Sequence, residues 1–187
     1  MTQRVALIGK PLRRRHSQVM HDAAFAAAGI DARYELLEID PEAVEDAVDA
    51  ARWPDRLGLG VTAPYKRVVA GLCDEVEREA ERIGAVNNVA KTPGGRLIGF
   101  NSDAPGFEAG ARLAMGRSLA GTEVVVAGAG GAAHAVVFAC LGAGVRRVTI
   151  GNRTVVAAAA LAERFADIGA EIVAVALDDP AFGEALR

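Results

Sequence analysis

Apolar and polar positions along the chain follow two periods in turn. Arg4–Gly9 is a short apolar run, which predicts a buried strand. Ser17 to Ala28 has helical spacing and stops at Gly29. Ala32–Ile39 predicts a second strand. Asp40-Pro41-Glu42 then opens a second helix, with Asp40 as N-cap and Pro41 in the first turn. Leu57–Thr62 predicts a glycine-rich third strand. Two short helical pieces follow, over Tyr65–Leu72 and Asp74–Ile83. Ala85–Thr92 and Arg96–Asn101 predict a hairpin closed by the two-residue turn Gly94-Gly95. A helix from Ala104 to Met115 runs into Gly116–Gly121, a polar joint containing glycine. Beyond it come a strand at Glu123–Ala127, a helix at Gly130–Gly142 and a strand at Arg146–Gly151. A helix at Thr154–Ile168 and a strand at Glu171–Ala176 complete the pattern.

Strands separated by helices imply βαβ units and a parallel sheet, so the fold class is α/β. The joint near Gly116 divides the chain into residues 1–116 and 117–187. The second part has three strands, half of a doubly wound dinucleotide-binding sheet. On that count it reads as an incomplete Rossmann-type domain, cut short at its C-terminus. The strand Glu123–Ala127 would then carry an unpaired apolar edge.

Composition narrows the function. The chain has 187 residues, is 51% hydrophobic and carries a net charge of −3, so a buried core is expected and a strongly basic nucleic-acid binder is not. Only 5% of residues are aromatic, which leaves few rings for stacking bases. Two cysteines, Cys73 and Cys140, make no CxxC or Cys/His cluster, so neither a metal site nor a disulfide is expected. Two reduced thiols suit a cytoplasmic location. Val124–Val145 lacks Asp, Glu, Lys and Arg, yet its glycines break the helical ladder that a membrane span requires. It reads as a buried strand followed by a buried helix. No membrane partner and no nucleic-acid partner are expected, and a homodimer is compatible with the pattern.

The run Val124–Ala133 is strand followed by G-x-G-x-x-A. Gly128 suits a tight turn, Gly130 lets the backbone approach a pyrophosphate, and Ala133 lets helix and strand pack closely. Ala129, Gly131 and Ala132 complete the phosphate-facing loop at a helix N-terminus, where N–H donors and the helix dipole favour anions. At the end of the next strand an NAD site places Asp or Glu on the ribose hydroxyl. Here stand Gly151-Asn152-Arg153-Thr154. No carboxylate repels a 2′-phosphate, Arg153 offers donors to bind one, and Asn152 and Thr154 add polar contacts. NADP is therefore the expected cofactor. Thr154 can also cap the following helix.

Chemistry in the first part gathers at predicted strand ends, where ligands bind in open α/β sheets. Thr62 and Lys66 follow the glycine-rich strand, Asn87 opens the hairpin, and Asp103 follows it. These residues also match a family. Gly9-x-Pro11, Ser17…His21, Val-Thr-x-Pro-x-Lys ending at Lys66, Gly-Ala-Val-Asn ending at Asn87, Asn-x-Asp ending at Asp103, the Gly128 loop and Asn152-Arg153-Thr154 occur in one order. The chain resembles the shikimate dehydrogenase family, which includes quinate and aminoshikimate relatives, and the resemblance runs over essentially all of its length. It implies an N-terminal substrate domain and reversible NADPH-dependent reduction of 3-dehydroshikimate to shikimate. It implies Lys66 and Asp103 as the catalytic pair, with Thr62 and Asn87 as contacts to substrate hydroxyl and carboxylate. It implies Ser17 as a carboxylate contact. Hydride addition to a ketone builds negative charge on oxygen, which needs a donor and a proton. Sequence leaves open which of the pair gives the proton.

Departures from the family pattern touch the substrate. Arg15 stands where the first serine of the family's pair belongs, and Gln18 where a proline belongs. Arg15 either binds a carboxylate bidentately or is solvated. Gly60 replaces an asparagine and Asn88 a threonine. Quinate or aminoshikimate dehydrogenase, or a non-catalytic dinucleotide-binding fragment, are the alternative readings. The residue types at His21 and His134 suit packing on a helix face.

Overall fold

The computed structural model describes residues 1–13 and 15–187, leaving out Arg14. The chain forms two compact units, Met1–Asn101 and Ser102–Arg187.

The first unit contains β1 (Gln3–Gly9), α1 (His16–Ala28), β2 (Ala32–Glu38), α2 (Val44–Asp49), β3 (Arg56–Val61) and α3 (Lys66–Ala70). It continues with β4 (Glu75–Val76), α4 (Arg78–Ile83), β5 (Asn88–Lys91) and β6 (Leu97–Phe100). One mixed sheet runs β2-β1-β3-β5-β6-β4. β1, β2 and β3 are parallel, while β5 turns antiparallel to β3 and β6. Strand alternation sends Ala6, Ile8, Leu59 and Val61 to one face, where Val44, Val48 and Val69 complete a buried core. Each buried Ile, Leu or Val side chain contributes about 1.5–3 kcal/mol through burial.

The other face carries Val5, Leu7, Tyr34, Gly58 and Gly60. α1 has no fully buried residue and is tied instead to the outer edge of β2. Gln18 Nε2 donates to the Tyr34 carbonyl at 3.0 Å, and Asp22 Oδ1 accepts from the Tyr34 N–H at 2.8 Å. These side chains satisfy backbone groups that an edge strand would leave open. Near the amino-terminal end of these parallel strands, Arg56 is buried and donates to Glu35 at 2.7 Å, and Arg4 Nε donates to Asp55 at 2.7 Å.

The second unit contains α5 (Asp103–Met115), β7 (Glu123–Ala127), α6 (Gly131–Gly142) and β8 (Arg147–Asn152). α7 (Val155–Arg164), β9 (Glu171–Ala176) and α8 (Pro180–Ala185) follow. Its sheet is parallel in the order β7-β8-β9, with β7 at an edge. Val126, Val137, Val148, Ile150, Leu161 and Phe165 form its core. The α/β architecture and half-Rossmann arrangement expected from the pattern are present. No helix among the described residues is long and apolar enough to cross a membrane.

Several local expectations are corrected. Asp40 makes no side-chain cap. Its carboxylate takes Lys10 instead, and the chain enters α2 through a 3-10 turn at Pro41–Ala43. The hairpin turn is longer than Gly94-Gly95. Thr92 N donates to the Arg96 carbonyl at 2.9 Å, so Pro93 also lies in the turn, and Gly95 takes the left-handed conformation. Glu75–Val76 is a strand beside β6, too short for any period to reveal. α8 was not anticipated. Pro180 starts it, Asp179 accepts from the Ala181 N–H, and Phe182 packs where a Cβ on Gly151 would stand 2.3 Å away. The units part at Asn101, earlier than the joint at Gly116, because Phe107 and Ala111 of α5 pack on the second core.

Candidate functional site

In the first unit, the loop after β3 is held from below. Tyr65 is buried, and its hydroxyl donates to the Ile39 carbonyl at 2.6 Å. Thr62 N donates to the Ile8 carbonyl at 2.9 Å, extending the β1–β3 ladder by one residue. Its methyl lies so close to Gly9 that a Cβ there would stand 2.3 Å from it, which is why glycine ends β1. Lys66 is the first residue of α3. Val86 N donates to the Lys66 carbonyl at 2.7 Å, and Val61 N donates to the Asn87 carbonyl at 2.8 Å. These two backbone bonds lace Thr62, Lys66 and Asn87 into one locality.

Asn101, buried at the end of β6, donates through Nδ2 to the Ala85 carbonyl at 2.8 Å and clamps the Asn87 segment. Sequence reading took Asn101 only as part of a motif. Its burial shows a structural clamp. Asn88 Nδ2 donates to Asn87 Oδ1 at 2.7 Å, so the residue that departs from the family pattern orients the carboxamide beside it.

Ser17 lies half-buried in the first turn of α1. Arg15 precedes the helix and is exposed, and its Nε donates to Gln18 Oε1 at 3.0 Å. The two departures from the family pattern thus bond to each other. A cavity of about 270 Å³ is lined by Leu7, Pro11, Leu12, Arg13 and Thr62. Arg13 was not singled out from the sequence. Only the fold sets it beside Thr62.

Asp103 opens α5 in the second unit, where a helix N-terminus favours a carboxylate. In the same unit, β7 ends in the glycine loop. Gly128 has φ +117°, a conformation that favours glycine, and its N–H donates to the Gly151 carbonyl at 2.7 Å. A Cβ built on Gly128 or Gly130 meets nothing within 4 Å, so both backbones face open space. Ala129 and Ala133 pack on the core below. α6 begins at Gly131, and the first N–H groups of a helix have no acceptor within it. Beyond β8, Asn152 Nδ2 donates to the Thr154 carbonyl at 3.0 Å and folds the turn that presents exposed Arg153. Thr154 occupies the N-cap of α7 but makes no side-chain capping bond. These residues fit a dinucleotide diphosphate at the Gly128–Ala132 loop and a 2′-phosphate beside Arg153.

His134 is buried in α6, and His21 stacks on Tyr34. Neither cysteine is in a disulfide. Burial pushes the Cys73 and Cys140 thiols up to about 11, so both stay protonated at neutral pH.

The family model for the shikimate dehydrogenase substrate binding domain matches residues 7–89. That for shikimate / quinate 5-dehydrogenase matches residues 110–180. The chain belongs to the shikimate dehydrogenase family. An NADP(+) shikimate dehydrogenase of Methanopyrus kandleri is 41% identical over the whole chain, which spans 64% of that relative. The structure of shikimate 5-dehydrogenase from Thermus thermophilus, in complex with NADP(H) and shikimate, is 40% identical with a TM-score of 0.78. It covers 91% of this chain, and 62% of it is covered. Quinate dehydrogenase from Corynebacterium glutamicum, in complex with NAD, is 31% identical with a TM-score of 0.83, covering 94% of this chain and 64% of its own. The chain thus spans less than two thirds of the relatives it matches.

Proposed function

We propose that the chain acts in the NADP-dependent interconversion of 3-dehydroshikimate and shikimate. The observation that carries this reading is the lacing of Thr62, Lys66 and Asn87 by the two backbone bonds at the carboxyl end of β3. A polar cluster there, followed by a glycine loop into α6, suits a hydroxylated ring acid and a dinucleotide. The names of the relatives from Methanopyrus kandleri and Thermus thermophilus support the same chemistry.

NADP supplies or takes the hydride when bound. Gly128, Ala129, Gly130, Gly131 and Ala132 hold its diphosphate with backbone N–H groups, and Asn152, Arg153 and Thr154 hold its 2′-phosphate. Ser17 and Arg15 orient the substrate carboxylate, while Thr62 and Asn87 orient its hydroxyls and carboxylate. In the reducing direction negative charge develops on the carbonyl oxygen. Lys66 Nζ gives that oxygen its proton, and Asp103 accepts a hydrogen bond from the new hydroxyl. Preorganised groups of this kind act where charge develops. In this reading the protein works in the cytoplasm and pairs as a homodimer.

The test is shikimate-dependent reduction of NADP by the chain, with quinate and NAD in parallel. Turnover with shikimate and NADP is expected. Faster turnover with quinate would move the assignment to a quinate dehydrogenase. NADP binding without turnover on either acid would leave a dinucleotide-binding protein.

A further inference from the structure

Tyr34 is only 5% exposed, and its ring reaches across the sheet from β2 towards β3. A Cβ built on Gly60 would stand 2.6 Å from Tyr34 Oη and 3.2 Å from Leu7 Cδ1. The residue is fixed from several sides. His21 stacks on its ring with centroids 4.4 Å apart and planes within 9°. Gln18 and Asp22 hold its backbone carbonyl and N–H. Yet the hydroxyl makes no hydrogen bond among the described residues. The oxygen itself is not sealed from solvent, which leaves it open to a partner that diffuses in. Burial also raises the pKa of the phenol, which keeps it a neutral donor.

Its surroundings indicate what that partner is. Gly60 and Thr62 are two residues apart on one strand direction, so they face the same side, roughly 7 Å apart. In the sheet Gly60 lies opposite Leu7 on one side and Asn88 on the other. Leu7 also lines the cavity that Thr62 enters. Asn88 in turn bonds Asn87. The hydroxyl therefore stands against Gly60, in space that any side chain at position 60 would fill, on the strand that leads into Thr62. The family pattern places an asparagine there, and this chain has only a hydrogen.

We propose that Tyr34 is a substrate-contacting residue, its hydroxyl standing where Gly60 lacks a side chain and hydrogen-bonding an oxygen of the hydroxylated ring acid. This rests on the function proposed above. Glycine at position 60 and tyrosine at position 34 then form one specificity element, with His21, Gln18 and Asp22 as its positioning residues.

The test is calorimetric binding of shikimate, and separately of NADP, to the full chain and its variants. Tyr34→Phe keeps the ring, the stack on His21 and both backbone bonds, and removes only the hydroxyl. Its shikimate dissociation constant should rise about 3- to 10-fold. Its NADP affinity and melting temperature should not change. Gly60→Ala should push the hydroxyl away and give a similar loss. Combined with Tyr34→Phe it should add little, a non-additivity expected only if both act through one contact. With ¹³C-labelled tyrosine, the Tyr34 ring signal of the unaltered chain should shift on adding shikimate. Equal shikimate affinity with and without the hydroxyl, or an unmoved signal, overturns the proposal and leaves the function intact. A chain that binds NADP but not shikimate overturns the function and this inference together.

Discussion

At the scale of the residue, the proposed chemistry turns on charges held by the backbone around them. Lys66 opens α3, with its carbonyl bonded to Val86 N. Lys66→Ala should therefore lower turnover by about 10²- to 10⁴-fold and leave NADP affinity unchanged. Steady-state rates and calorimetry would check both halves, and a parallel collapse of NADP binding would contradict the assignment. Arg153 is exposed on a turn that has no carboxylate in Gly151–Thr154. Arg153→Ala should weaken NADP more than NAD, because only NADP carries the 2′-phosphate. Equal losses, measured by titration of each dinucleotide, would refute that role. Both residues were legible in the sequence because motif and element end coincide there. Tyr34, Arg13 and the clamp made by Asn101 were not. Each depends on a neighbour far along the chain: Gly60, Thr62 and Ala85.

At the scale of the element, most boundaries followed from local rules, and the misses share one cause. Asp40 has the chemistry of an N-cap, yet Lys10, 30 residues earlier, takes its carboxylate. A long-range ion pair has displaced a local cap. The hairpin between β5 and β6 is anchored the same way. Asp74 accepts from Arg52 at 2.6 Å and from the Leu97 N–H at 2.6 Å, fixing the start of β6. The Arg52 guanidinium, with that N–H, holds the Asp74 carboxyl down to about 2, below the usual carboxylate range. A depressed folded pKa contributes stability that is present above the unfolded value near 4. That stability is lost as pH falls through about 2. Melting temperature should thus fall further between pH 4 and pH 2 in the unaltered chain than in Asp74→Asn. Equal falls would show that the pair contributes nothing.

At the scale of the whole molecule, two cores divide the labour. One is built around Ile8, Val61 and Val89, the other around Val137, Ile150 and Leu161. Every residue proposed to hold NADP lies in the second unit. NADP at about 100 times its dissociation constant should stabilise the state that binds it by about 2.7 kcal/mol. Amide exchange should slow across residues 102–187 and stay unchanged in the first core. Equal protection of both would contradict the division. The amino-acid sequence alone determined the α/β class, the glycine loop, the order of the strands and helices other than β4 and α8, and the candidates Lys66, Thr62, Asn87 and Arg153. Periodicity, turn chemistry and short motifs are local, and neighbours in sequence carry them. Tertiary structure alone decided that α5 packs with the second core, that α1 seals the edge of β2, and that Tyr34 lies over Gly60. Those outcomes depend on which distant surfaces meet, and a strand carries no record of its partner until the sheet forms.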